Sequence, residues 1–236
     1  MLLLKTEYTL WGVNMINFSN LIYLPVDVPN PPKGAVEFFD TIDYEDMIVD
    51  TYRTCHHIPI MDKDGTFSSE AKEVKGLVEW FENEIFTWSM PARMRIITTP
   101  PGGHNACHID CSPDRIGTWQ HKFRYVFQGD RTTLIFNNKE EDVRIHDVDK
   151  CYIMDGAWPH EMLNTTNKRK YTLTLGAPWE PQSDDKKYVE VLQRSYNKYK
   201  NYYISSEKWQ LPENWKSLFQ PEYDDQLYLL ENYNGA

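Results

Sequence analysis

Residues 94–110 read Met-Arg-Ile-Ile-Thr-Thr-Pro-Pro-Gly-Gly-His-Asn-Ala-Cys-His-Ile-Asp, and the chain is best approached through them. The first six residues are β-rich, and the Pro-Pro-Gly-Gly run that follows is a strong turn signal. What comes next reads as the beginning of a second strand, with His108 and Asp110 two apart. Side chains at i and i+2 of a strand point to the same face. The turn therefore delivers an imidazole and a carboxylate to one point in space.

Downstream the same pattern repeats. Short β-rich stretches at 122–127, 132–136, 143–148, 151–154 and 170–175 are separated by Gly129-Asp130, Asn137-Asn138, Asp155-Gly156 and other polar turns. Short strands at this spacing predict an antiparallel sandwich or barrel of jelly-roll type. The expected class is mainly β with flanking helices, with a core over 94–180. Residues 1–93 are expected to flank it and 181–236 to extend it, all within one compact domain.

The flanks carry packing signals. Ile16, Phe18, Leu21, Ile22 and Leu24 precede an irregular Pro-rich loop, and residues 35–49 have room for a short helix. Residues 68–86 predict one continuous helix, because Ala71, Val74, Val78, Phe81 and Ile85 form a single apolar stripe. Ser68 or Ser69 can cap it, and Glu70 sits in its first turn. Residues 184–203 predict a second helix with Val189, Leu192, Tyr196 and Tyr199 on one side. The adjacent His56 and His57 are unsuited to one metal if they lie on a strand, where neighbours face opposite ways.

Bulk properties narrow the partners. In 236 residues, 41% hydrophobic and 14% aromatic content indicate a folded chain. A formal net charge of -10 argues against nucleic-acid or anionic-membrane binding. No apolar run reaches spanning length, so a soluble cytoplasmic protein is expected. Cys55, Cys107, Cys111 and Cys151 are few, irregularly spaced and suited to free thiols. Cys107 and Cys111 flank the His-x-Asp pair, which keeps a zinc site as a minor alternative.

The chemistry follows from a third residue. His160, in Asp155-Gly-Ala-Trp-Pro-His160, lies 52 positions beyond His108, with several strands between. A jelly roll can return it to the same end of the barrel. His108, Asp110 and His160 would then form a two-His-one-carboxylate set, which leaves open positions on Fe(II) for O2 and a co-substrate. 2-Oxoglutarate, chelating through its keto acid, needs a cation and a hydroxyl at its far carboxylate. Lys170 and Thr172 share a strand face and suit that task. Arg169 faces the other way in a regular strand, although a one-residue slip would exchange it with Lys170. Lys122 and Arg124 share a face of an earlier strand.

The stretches 94–110, 122–127, Trp158-Pro-His-Glu-Met-Leu-Asn164 and Arg169-Lys-Tyr-Thr-Leu-Thr-Leu175 together resemble the aspartyl/asparaginyl β-hydroxylase family of Fe(II)- and 2-oxoglutarate-dependent dioxygenases. The resemblance covers about residues 94–180. It implies a double-stranded β-helix (cupin-like) core, with His108, Asp110 and His160 as iron ligands. It implies Lys170 at 2-oxoglutarate, with Arg124 or Lys122 as a further contact. The implied activity hydroxylates an amino acid or peptidyl side chain and releases succinate and CO2. Where the family usually places Arg on the last strand, this chain offers Arg169-Lys170. The animal enzymes lack the acidic ligand that Asp110 supplies, which points toward the branch that includes free amino-acid hydroxylases. The rival readings are a cupin-type metalloenzyme without 2-oxoglutarate, which predicts dispensable Arg169 and Lys170, and a non-catalytic jelly-roll binding module, which predicts indifference to His108→Ala.

Overall fold

The computed structural model describes residues 9–10, 13–14, 18–43, 55–62, 64–85, 94–110, 121–129, 133–136, 142–144, 150–156, 158–175 and 186–207. Strands β1 (Thr9–Leu10) and β2 (Val13–Asn14) pair with each other. Then come β3 (Leu21–Pro25), α1 (Ala35–Phe39), β4 (His56–Met61), α2 (Ser69–Glu73) and α3 (Leu77–Trp80). The central series is β5 (Met94–Thr99), β6 (His104–His108), β7 (His121–Gln128), β8 (Thr133–Phe136), β9 (Asp142–Arg144), β10 (Cys151–Asp155), β11 (His160–Leu163) and β12 (Lys170–Leu175). Helix α4 (Lys186–Tyr199) and β13 (Ile204–Ser205) follow.

Strand order defines the architecture. One sheet runs β13-β3-β10-β7-β12-β5-β4 and the other β6-β11-β8-β9. Along the chain, β5 to β12 step back and forth between the two sheets, and every ladder among them is antiparallel. This winding is a double-stranded β-helix, as the turn spacing predicts. Strands β3, β4 and β13 widen the larger sheet beyond the eight-strand core.

The strands of the larger sheet present two chemically different faces. Phe123, Tyr125, Tyr171, Leu173 and Leu175 lie in one buried cluster with Phe39, Ala71, Leu77, Trp80, Phe81, Leu192 and Tyr199. The helices thus cover the outer face. Aromatic edges organise it, with Phe39 and Tyr171 at 5.4 Å and Trp80 and Tyr125 at 5.0 Å between ring centres. The Tyr171 hydroxyl donates to Asp40 Oδ1 at 2.6 Å, which ties α1 to the sheet.

The continuous helix expected over 68–86 is broken in two. Ser68 does cap α2, accepting from the Ala71 N–H at 3.2 Å. Val74 then adopts an extended conformation and Gly76 sits at φ 80. Glycine reaches that left-handed region at little cost, so the chain re-enters helix as α3 and ends in a π-helical turn over Phe81–Ile85. Ala71, Val74 and Phe81 still face the core, because the break redirects the axis while keeping the stripe inward. His56 is buried and His57 exposed, as alternation on β4 requires. The second expected helix forms as α4, and residues 44–49, 145–148 and Cys111 lie outside the described residues. No helix among the described residues is long and apolar enough to cross a membrane.

Candidate metal centre

Cross-strand register brings the two histidines together. His160, the first residue of β11, pairs directly with His108, the last of β6. Their ring centres are 4.4 Å apart. His108 thus ends its strand, where the sequence pattern placed it near a beginning, and Asp110 lies two residues past the strand end. The Asp110 N–H donates to the Gly156 carbonyl at 2.6 Å, so the β10–β11 turn holds the acid in position where the ladder no longer can.

Each imidazole is oriented by its own backbone. His108 Nδ1 sits 2.7 Å from the Ala106 carbonyl and His160 Nδ1 sits 2.8 Å from that of Trp158. A carbonyl only accepts, so Nδ1 carries the hydrogen and Nε2 keeps its lone pair. Both Nε2 atoms turn to Asp110, at 3.7 Å from Oδ1 for His108 and 3.7 Å from Oδ2 for His160. All three donor atoms fall within 4.8 Å of one another. His160 Nε2 is buried with no hydrogen-bond partner among the described residues. An orphaned, oriented lone pair facing a second imidazole and a carboxylate fits a divalent metal, and the two-N, one-O set is the one that suits non-haem Fe(II).

The electrostatics keep these groups in ligand form. Burial first, then His108, push the His160 imidazole down to about 3 against the pull of Asp110, so it is neutral at physiological pH. Burial raises the Asp110 carboxyl, but the Lys122 charge, the neighbouring His160 and His108 imidazoles and the Arg124 guanidinium outweigh it and hold it well below the ordinary range. Cys107 does not join the cluster. Burial, then Glu161, push its thiol far up, as expected of an inert structural cysteine.

The cations expected at a co-substrate fall in two places on one face. Arg124 Nη2 donates to Asp110 Oδ2 at 3.2 Å, so its side of β7 faces the triad. Thr174 lies opposite Arg124 in the β12·β7 ladder and shares that face. Lys170 and Thr172 alternate with Thr174 and share it too. Lys170 is fully buried, with Nζ donating to the Leu163 carbonyl at 2.9 Å. Arg169 instead reaches Thr98 Oγ1 at 3.3 Å on the other face. Thr99, directly opposite Lys170, and Thr172 both bury hydroxyls that have no partner among the described residues. Lys122 turns its charge on Asp110 from β7.

Two supporting residues escaped the sequence pattern. Asn164 Nδ2 lies within hydrogen-bond distance of the carbonyls of Thr99, Pro100 and Lys168, at 2.9, 3.0 and 2.8 Å, tying the β5–β6 turn to the loop before Lys170. Gly129, at φ 98, leaves room for Lys170, since a Cβ there would lie 2.8 Å from the lysine Cβ. Trp158-Pro-His160-Glu-Met-Leu-Asn164 did contain the asparagine, but the partners of its Nδ2 are backbone carbonyls that no motif names.

A jelly roll carrying an oriented His-Asp-His cluster is the class that this fold and site define. No family model matches the chain, and no curated protein does. Among solved structures, it is similar to a Pseudomonas putida prolyl-4-hydroxylase, with 14% identity over 60% of this chain and 80% of that one and a TM-score of 0.38. A 2OG-Fe(II) oxygenase family oxidoreductase from Burkholderia pseudomallei gives 10% identity, 61% and 80% coverage and a TM-score of 0.40. A Trichoplax adhaerens prolyl hydroxylase in complex with a hypoxia inducible factor peptide gives 16%, 60% and 73%, and 0.37. The fold stands on the strand order above, and the chemistry on the side chains.

Proposed function

We propose that this chain is an Fe(II)- and 2-oxoglutarate-dependent dioxygenase that hydroxylates an amino acid or peptidyl side chain. The observation that carries this reading is the convergence of the two Nε2 lone pairs and Asp110 within 4.8 Å, inside a jelly roll. His108, Asp110 and His160 would hold the metal. Iron would supply the redox and O2 chemistry that no side chain offers.

The chain's own residues do the rest. The Ala106 and Trp158 carbonyls hold each imidazole in the ligating tautomer. Lys170 and the Thr99 and Thr172 hydroxyls, which have no partner among the described residues, offer a buried cation and two donors to the far carboxylate of 2-oxoglutarate. The apolar residues Val126, Met154 and Trp158 exclude water from one side of the interior. A cupin-type enzyme without 2-oxoglutarate has no use for the Lys170 arrangement.

Succinate release tests the reading. The Fe(II)-loaded protein should convert 2-oxoglutarate to succinate, faster in the presence of the right amino acid or peptide, whose product gains one oxygen atom. Lys170→Ala should raise KM for 2-oxoglutarate by about tenfold or more, the worth of a charge-assisted hydrogen bond. Protein that binds Fe(II) yet forms no succinate with any compound would contradict it.

A further inference from the structure

The smaller sheet changes step beside the triad. His160 pairs with His108 and Met162 with Asn105, so two steps along β11 match three along β6. The extra residue is a β-bulge, a device that re-aims the side chains around it. His160 and Met162 share a face of β11, and residues directly opposite on a ladder share a face too. Asn105 therefore joins His108 on the inner face, where strict alternation would have turned it outward. Its partner Met162 packs against Ile97, which lies opposite Thr172, so the pair faces the inner side of the larger sheet.

Only one end of the Asn105 carboxamide is engaged. Nδ2 lies 3.5 Å from His108 Nε2, a donor turned to a lone pair, which leaves Oδ1 at the other end. Oδ1 is buried and has no hydrogen-bond partner among the described residues. Buried amide oxygens are seldom left so. The function proposed above uses the Thr99 and Thr172 hydroxyls and His160 Nε2, but not this atom. Its partner must be a donor. 2-Oxoglutarate at neutral pH carries acceptor oxygens only, and so does O2, so neither completes Asn105. The reactant that remains is the molecule to be hydroxylated. Amino acids, and peptide residues other than proline, carry an N–H donor next to the α-carbon.

Resting on the dioxygenase reading, we propose that Asn105 is a substrate-binding residue whose Oδ1 accepts a hydrogen bond from an N–H of the substrate. The contact admits the ammonium of a free amino acid or a peptide N–H, and it excludes a peptidyl proline, which has none.

The test is calorimetric titration, without O2, of the Fe(II)- and 2-oxoglutarate-loaded protein with free L-amino acids and their N-acetyl dimethylamides. Each is run beside a counterpart whose nitrogen is fully methylated and so lacks N–H. At least one compound should bind about tenfold or more tighter than its counterpart, the loss expected when a buried acceptor is left unmet. Methyl groups also add bulk, so the ratio is measured again in Asn105→Leu, where it should fall severalfold. That change isolates the hydrogen bond from the bulk. Asn105→Asp keeps an acceptor oxygen and should retain most of the wild-type ratio. Circular dichroism checks the fold of both variants. Repeating the series with Zn(II) in place of Fe(II) reports on the contact independently of the oxygenase reading, which succinate formation tests separately. A ratio unmoved in Asn105→Leu, as solvent at Oδ1 would give, overturns the proposal. So do an Asn105→Asp ratio as low as that of Asn105→Leu, preferential binding of N-acetylproline dimethylamide, or no binding across the panel.

Discussion

The two faces of β12 show how one strand serves two purposes. Tyr171, Leu173 and Leu175 point outward into the aromatic core under the helices. Lys170, Thr172 and Thr174 point inward, toward the face from which Arg124 reaches Asp110. On the outer face the buried Tyr171 hydroxyl is satisfied by Asp40. The inner face leaves the hydroxyls of Thr172 and Thr99 buried without partners among the described residues. Burying a polar group without a hydrogen bond costs about 1–3 kcal/mol. Such a cost is carried where a ligand completes the arrangement, so the comparison separates stability from chemistry residue by residue.

The sharpest break comes from the triad. Asp110→Asn, His108→Ala or His160→Ala should lower Fe(II) affinity and succinate formation more than about a hundredfold, beyond what loss of a supporting residue around a metal costs. Circular dichroism should show the fold retained, because the outer core is untouched. On the opposite face, Leu173→Ala should destabilise by ~2–5 kcal/mol in urea unfolding. The variant's folded fraction should keep an unchanged KM for 2-oxoglutarate. Activity loss from Leu173→Ala without loss of stability would erase the division between the faces.

A third prediction concerns His121, which is fully buried on β7 with Nε2 3.1 Å from the Leu21 carbonyl. Burial lowers its pKa to about 4 against the opposing pull of that carbonyl. In the unfolded chain it would titrate near 6.5, so below that pH the unfolded state binds the extra proton. Its share of stability is therefore complete above about pH 6.5 and lost as pH falls toward 4, amounting to ~3 kcal/mol. Urea midpoints measured from pH 7.5 to 4.5 should fall more steeply in the wild type than in His121→Gln. Parallel slopes would remove His121 from the account. The smallest effect belongs to Thr172→Val, which should leave stability unchanged or slightly higher and raise KM for 2-oxoglutarate only a few-fold.

What the sequence disclosed follows from the range of each interaction. The period-two alternation of 170–175 set Lys170 and Arg169 on opposite faces but left a one-residue slip open, which the hydrogen bonds of the two side chains close. Turn spacing disclosed the jelly roll, since each strand is bounded by its own local signals. The break at Gly76 was hidden by a stripe that stays in phase across it, so periodicity passed over a residue at φ 80. Asn164, Gly129 and the Arg124–Asp110 pair were hidden for another reason. Each acts through a partner distant in the chain, and in the first two cases through backbone atoms or bare space, which have no residue signature.

The central claim is that one interior binds both the metal and 2-oxoglutarate. Its most direct test is anaerobic titration of the Fe(II)-loaded protein with 2-oxoglutarate, followed by the visible charge-transfer absorption of a chelated keto acid. The wild type should develop this absorption and saturate, Lys170→Ala should need about tenfold or more 2-oxoglutarate to reach the same intensity, and His108→Ala should show none. Fe(II)-loaded wild type that develops no such absorption at any 2-oxoglutarate concentration would contradict the account.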